Sequence, residues 1–366
     1  MDTLPRRDFA KQSLSNVTPL LTSSLLVTAL SSAVYGQSKT RIRVGQIGTK
    51  HGHASGKWEA VKKLNEHFEL LGIVEADQTQ KETVQRTATY AGCNWLTMEQ
   101  LLNEPGLQLV FVETEIDQLL NVAEKCLKAS MHIHLDKPAG SSLDHFHRIT
   151  KIAADKNRFI QLGYMFRSNS AFQFLFHAVK QGWLGDIFEI HGVMSKKLQT
   201  SERAELARYP GGSMLELGCH LIDAVVTLMG KPQSITPIHT KTLPDVDALN
   251  DNCLAVFRYP KATATIRSSL VEIDGNRRRQ FIVCGTKGTI EIEPLEPPQL
   301  MLTLDQPRGS FRKGTQMVEL PKMTGRYDGD LLSLAAAIRG ESIYGYSLEH
   351  DLLVQECVLM ASEMFR

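Results

Sequence analysis

From residue 40 onward the chain alternates short apolar runs with amphipathic stretches, and that alternation is what most limits its fold. The runs "RIRVGQIG", "ELLGIVEA" (69–76), "LQLVFVE" (107–113), "MHIHLDKP" (131–138) and "FIQLGYM" (159–165) read as strands. Between them, residues 55–68, 81–92, 98–104, 116–130 and 141–156 carry helical spacing. Strands that are apolar throughout, rather than every second residue, are covered on both faces, which predicts a doubly wound parallel sheet. After about residue 166 the pattern changes. A helix over 169–181 and a strand over 186–195 precede a polar loop at 196–211 and a helix at 211–230. Four extended runs between 253 and 306 then predict a large, open, mostly antiparallel sheet, and two helices (328–338, 348–364) close the chain. With 366 residues, one core is too few. The expected organisation is an α/β nucleotide-binding domain over 40–165 and an α+β domain over 166–366.

Residues 1–36 differ from the rest. Arg6 and Arg7 precede a moderately apolar, Ser/Thr-rich stretch (20–34) and then small residues, the layout of a twin-arginine signal peptide. The alternative is an uncleaved membrane anchor, but Pro19 and six Ser/Thr between 22 and 32 make a poor span. The expectation is therefore a periplasmic or otherwise exported protein, handled by the twin-arginine machinery, with no stable membrane insertion after cleavage. Six scattered cysteines look like buried thiols rather than a disulfide framework, as suits a chain exported already folded. A net charge of +1 without a basic block argues against a nucleic-acid partner.

"GQIGTKHGHASG" (45–56) follows the first strand where a dinucleotide-binding turn belongs. In the usual pattern three glycines make the bend, admit the pyrophosphate and let the helix pack. Gly48 serves for the first; Lys50 and His53 stand at the other two. Lys50 is placed to meet a phosphate beside the helix N-terminus. Glu75, ending the second strand, is placed to accept from a ribose diol and to disfavour a 2′-phosphate. His-x-His pairs at 51/53, 132/134 and 145/147 raise a metal reading, but nothing in the sequence makes them converge. No metal site is expected.

"HLDKPAG" (134–140) puts Lys137 at the carboxyl end of a strand, counted as the fifth of the sheet, toward the same crevice as Gly48. In "GGSMLELGCHLID" (211–223), Glu216 and His220 are four apart and His220 and Asp223 three apart, so each pair shares one helix face. A carboxylate beside an imidazole orients it as a base.

Together the Val44–Gly48 strand-turn, "DKP" at 136–138, "YMFRSN" at 164–169 and "GGSMLELGCHLID" resemble the Gfo/Idh/MocA oxidoreductase family in order and spacing, from about residue 41 to the C-terminus. "GTKGTIEIEP" (285–294) is similar to a late strand pair of that family. The resemblance implies Lys137 as catalytic lysine, His220 as proton acceptor with Glu216 beside it, and Arg167, His220 and Asp223 on the substrate side. It further implies NAD or NADP held by Gly48, Thr49, Lys50, His51, Glu75, Glu113, Asp136, Lys137 and Pro138. Three departures stand out: Glu216 where the family has Asp, Asp136 where it has Glu, and the turn itself.

The expected function is an NAD(P)-dependent oxidation of a CH–OH group on a sugar, cyclitol or related polyol, with NAD slightly favoured and tightly bound. Two alternatives stand beside it: an NAD-dependent glycosidase working by transient oxidation and elimination, and a non-catalytic sugar or nucleotide sensor. A homo-oligomer, dimer or tetramer, is expected because an open sheet needs its face covered.

Overall fold

The computed structural model describes residues 40–365, so the signal-peptide expectation lies outside the described residues. The first five strands are β1 (Ile42–Ile47), β2 (Phe68–Val74), β3 (Leu109–Val112), β4 (His132–Leu135) and β5 (Ile160–Leu162). All their pairings are parallel, in the order β2-β1-β3-β4-β5. The Lys137 segment thus ends the fourth strand, not the fifth. β3 and β4 are buried at every position, as their unbroken apolar runs require. The helices α1 (Ala54–Lys63), α2 (Gln78–Val84), α3 (Met98–Leu102), α4 (Ile116–Lys128) and α5 (Leu143–Asp155) connect them. The strand order reverses between β1 and β3, which is where an open α/β sheet leaves a ligand crevice.

The second sheet has eight strands. Helix α6 (Ser170–Lys180) leads into β6 (Ile187–Val193), and the remaining strands are β7 (Ser234–Thr240), β8 (Asn252–Arg258), β9 (Thr263–Ser269), β10 (Gln280–Gly285), β11 (Gly288–Leu295), β12 (Pro298–Leu304) and β13 (Gly314–Met317). Their order is β13-β12-β11-β10-β6-β9-β8-β7, antiparallel except for β6 beside β9. This is the α/β class expected, with a mostly antiparallel second sheet.

Four local features differ from the sequence reading. The polar segment 196–211 holds a helix, α7 (Thr200–Leu206), opened by a capping box between Gln199 and Glu202 and buried through Arg203 and Leu206. β7, absent from the sequence pattern, contains Pro237, which the strand tolerates because it is the sheet edge. The helix expected over 211–230 is not uniform. Gly212 has φ +52°, and a Cβ there would stand 2.1 Å from the Asn250 carbonyl oxygen. The chain therefore turns first, makes a wide π-helical turn at Met214–Gly218, and only then forms α8 (Cys219–Met229). Finally, α9 (Asp328–Ile338) returns to the parallel sheet, where Leu331, Leu334 and Ala335 pack on Ile42, Val44, Leu109 and Phe111. A segment assigned by order to the second domain thus completes the core of the first.

Helix α10 (Leu348–Ala361) packs against α5 and α8, joining the two layers. The described residues form one compact unit. All six cysteines are free and four are buried. No helix among the described residues is long and apolar enough to cross a membrane.

Candidate active site

Gly48 has φ +91°, and a Cβ there would lie 2.7 Å from the Glu113 backbone and 2.8 Å from Thr114 Cγ2. Only glycine lets β1 bend this close to the end of β3. Glu75 then fixes the turn. Its carboxylate accepts from the Thr49 amide (2.9 Å), the Thr49 hydroxyl (2.7 Å) and the Asp77 amide (3.0 Å). Lys50 does not stand free for a phosphate: its Nζ lies 2.9 Å from Asp77 and 3.5 Å from Glu115.

Beneath the turn lies a buried charge network built on Asp136. His51 Nδ1 is 2.6 Å from its carboxylate, His53 Nδ1 3.2 Å and Lys57 Nζ 2.9 Å, while the Lys137 amide donates to it at 2.7 Å. Lys57 also donates to Glu113 at 2.9 Å. Burial pushes Asp136 up, but His51, Lys57 and His53 overcome it and hold the group well below the carboxylate range. Glu113 goes the other way, raised by burial and by the neighbouring Asp136 charge. His53 is lowered to about 4, first by burial. Asp136 and Glu113, expected among the cofactor contacts, are fully buried beneath the turn and line none of the three cavities described below. Pro138 is likewise buried.

His51, His53 and Asp136 do converge, contrary to the sequence expectation that the histidine pairs stay apart. The Lys57 ammonium on the same carboxylate opposes a second cation there. The 132/134 pair diverges: His134 faces Gln161 (2.8 Å) and His132 faces the Phe159 amide (3.0 Å).

Lys137, almost fully buried, donates from Nζ to the Glu216 backbone carbonyl at 2.6 Å and lies 3.3 Å from its carboxylate. The wide turn at 214–218 presents both acceptors. Burial lowers the Lys137 pKa, but Glu216, Cys219 and Asp136 carry it above its ordinary value, so it stays an ammonium. Glu216 is pushed up by burial and brought down to about 2 by Lys137 and Lys196. His220 follows on α8. Burial, helped by Lys137, keeps its imidazole well below the usual range and therefore neutral. Its Nδ1 is buried without a partner, and its ring packs edge-on against Tyr164 and Phe166. Glu216 does not hydrogen-bond His220 as expected; it is engaged by Lys137. Lys137, Glu216 and His220 nevertheless line one cavity of about 450 Å³.

Arg167 and Asp223, expected on the substrate side, pair with each other and do not line the Lys137 cavity. Arg167 Nε lies 3.1 Å from both Asp223 oxygens, and one terminal nitrogen reaches Asp223 and Asp351 at 2.6 Å each. All three are buried. The arginine meets two carboxylates through Nε and Nη2, while its Nη1 is buried without a partner and the residue lines a cavity with Tyr344 and Tyr346.

Three cavities adjoin along the carboxyl ends of the parallel strands. One holds Glu75 with Val74, Met98 and Val122; it shares Lys50 and Glu115 with a second, which shares His53, Lys196 and Glu216 with the Lys137 cavity. Residues 42–164 match the oxidoreductase family with an NAD-binding Rossmann fold, and residues 172–291 match the Gfo/Idh/MocA C-terminal domain. The chain belongs to the Gfo/Idh/MocA oxidoreductase family. An uncharacterized oxidoreductase of Escherichia coli, YdgJ, is 26% identical over 262 residues, spanning 70% of this chain and 73% of that one. The bovine trans-1,2-dihydrobenzene-1,2-diol dehydrogenase is 24% identical over 196 residues, 53% and 57% of the two chains. The aldose-aldose oxidoreductase of Caulobacter crescentus superposes with a TM-score of 0.74 at 17% identity, covering 88% of this chain and 98% of that one, which shows a shared fold.

The crevice of this Gfo/Idh/MocA protein fits a dinucleotide. Gly48 makes the close approach, and a largely apolar slot lies beside it with Glu75 on its wall. Sequence reading missed Lys57. It lies on the buried face of α1 with Trp58 and Val61, and a lysine four residues before a buried valine was the available signal.

Proposed function

We propose that the chain oxidises a CH–OH group of a sugar, cyclitol or polyol with NAD, and that the cofactor is tightly held. The observation that carries this is the convergence of Lys137, Glu216 and His220 on one cavity that adjoins the dinucleotide crevice. The aldose-aldose oxidoreductase of Caulobacter crescentus, which shares the fold, is in keeping with it. Bound nicotinamide supplies the acceptor for the hydride that leaves the alcohol carbon. Everything else falls to side chains. The Lys137 ammonium holds the hydroxyl oxygen and stabilises the charge that grows as its proton leaves. Glu216 fixes the Lys137 side chain and keeps it protonated. His220, neutral and with Nδ1 buried, takes the hydroxyl proton on Nε2. Glu75 favours NAD, since a 2′-phosphate would meet its carboxylate.

The arginine pair at 6–7 supports export to the periplasm. The exposed Phe188 and Ile238 on the second sheet support a homo-oligomer.

NADH formation is to be followed with full-length protein over a panel of aldoses, uronates and polyols. Lys137→Ala should lower turnover by about 10²–10⁴-fold while NAD affinity stays within a few-fold. Unchanged turnover would sink the assignment.

A further inference from the structure

The cavity that holds Lys137 and His220 is lined by four cationic side chains, Lys137, Lys196, Arg279 and Arg326, against two carboxylates, Glu216 and Glu296, an excess of two positive charges. The pairing within it is uneven. Glu216 is taken by Lys137 at 3.3 Å and stands 3.8 Å from Lys196. Glu296 is taken on both oxygens by Arg326, at 2.9 and 3.0 Å. Arg279 is left over. It is 9% exposed, anchored by Nε to the Ser195 carbonyl at 3.1 Å, and its nearest carboxylate oxygen, on Glu296, is 3.9 Å from Nη1. A guanidinium this buried is normally matched by an anion, because taking it out of water is costly. Burial, opposed only by the more distant Glu296 charge and helped by the repelling Arg326, lowers its pKa. With Nε anchored on Ser195, Arg279 lines the cavity, and the terminal N–H donors of a guanidinium suit the two oxygens of a carboxylate.

We infer that the substrate is an anionic sugar, an aldonate or uronate, whose carboxylate docks on Arg279 with Lys196 nearby while its reacting hydroxyl meets Lys137 and His220. This rests on the oxidoreductase reading above and narrows its substrate class. A cavity of about 450 Å³ has room for a hexose-sized molecule.

The test is calorimetric binding to the full chain with NAD present, using matched pairs: D-glucuronate against D-glucose, and D-galacturonate against D-galactose. At least one acid should bind tenfold or more tightly than its neutral partner, and Arg279→Gln should erase that ratio while Arg279→Lys keeps part of it. NAD affinity of each variant serves as the control for folding. Equal binding of acid and neutral sugar, or binding of neither, overturns the inference, as does a ratio that survives Arg279→Gln. Tighter binding of D-glucose 6-phosphate than of any acid overturns the carboxylate assignment. Because NAD binding is read separately, its absence marks failure of the oxidoreductase reading, and its presence without acid preference marks failure of this one.

Discussion

The molecule contains two buried ion networks of similar make-up and opposite use. Around Asp136, two histidines and Lys57 gather on one carboxylate directly under the cofactor turn, and His51 and His53 line the open crevice above it. Around Arg167, one guanidinium binds Asp223 and Asp351 among buried neighbours, joining the end of β5 to α8 and α10. The first network shapes a surface that a ligand can meet. The second staples helices. What separates them is whether any member reaches a cavity beside Lys137, and composition says nothing of that.

Breaking the stapling network should give the largest stability change. Arg167→Met leaves two buried carboxylates without a cation, and unfolding free energy should fall by about 3–5 kcal/mol in denaturant titration. The folded fraction should keep kcat/KM within a few-fold. A large loss of kcat/KM at unchanged stability would instead place Arg167 against substrate.

Asp136→Asn should act on the other side of the comparison. The histidines and Lys57 lose their shared charge, the turn loosens, and NAD affinity should drop about tenfold, roughly 1.4 kcal/mol. Stability should fall less than in Arg167→Met. If NAD binds Asp136→Asn as it binds the parent, the network does not organise the cofactor floor.

The smallest effects are in pH dependence, and the two regions should titrate in opposite directions. His53 at about 4 and His134 at about 3 lie below the ordinary histidine value of 6.5 because burial disfavours their charged forms. The unfolded chain binds these protons first, so stability falls as pH drops from about 6.5 toward those values. Asp330, beside Ser168 and raised to about 7 by burial, does the reverse. The folded state binds its proton first, and stability falls as pH rises from about 4 through 7. His134→Leu should flatten the acid limb and Asp330→Asn the neutral one, read from denaturation midpoints across pH. Unaltered slopes in both would contradict the assignment.

Much of the frame could be read from sequence because it rests on local patterns. The buried runs at β3 and β4, the α4 stripe and the Gly48 bend all state their environment in adjacent residues. Placing Lys137, Glu216 and His220 near one crevice needed only strand ends and one helix turn. What could not be read was pairing between distant segments. Arg167 meets Asp351 across 184 positions, and Lys57 meets Glu113 across 56. In sequence, an arginine that meets two carboxylates looks the same as one that meets none. The same limit hid the return of α9 to the first sheet, since its apolar stripe fits either layer.

The central claim is that this crevice holds a nicotinamide dinucleotide beside Lys137 and His220. It is tested most directly by denaturing protein purified from a host competent for its export, identifying any nucleotide released, and titrating the emptied, refolded protein with NAD and NADP. NAD or NADH should be released at close to one per chain, and NAD should rebind more tightly than NADP. No released nucleotide, together with no binding of either form, would contradict it.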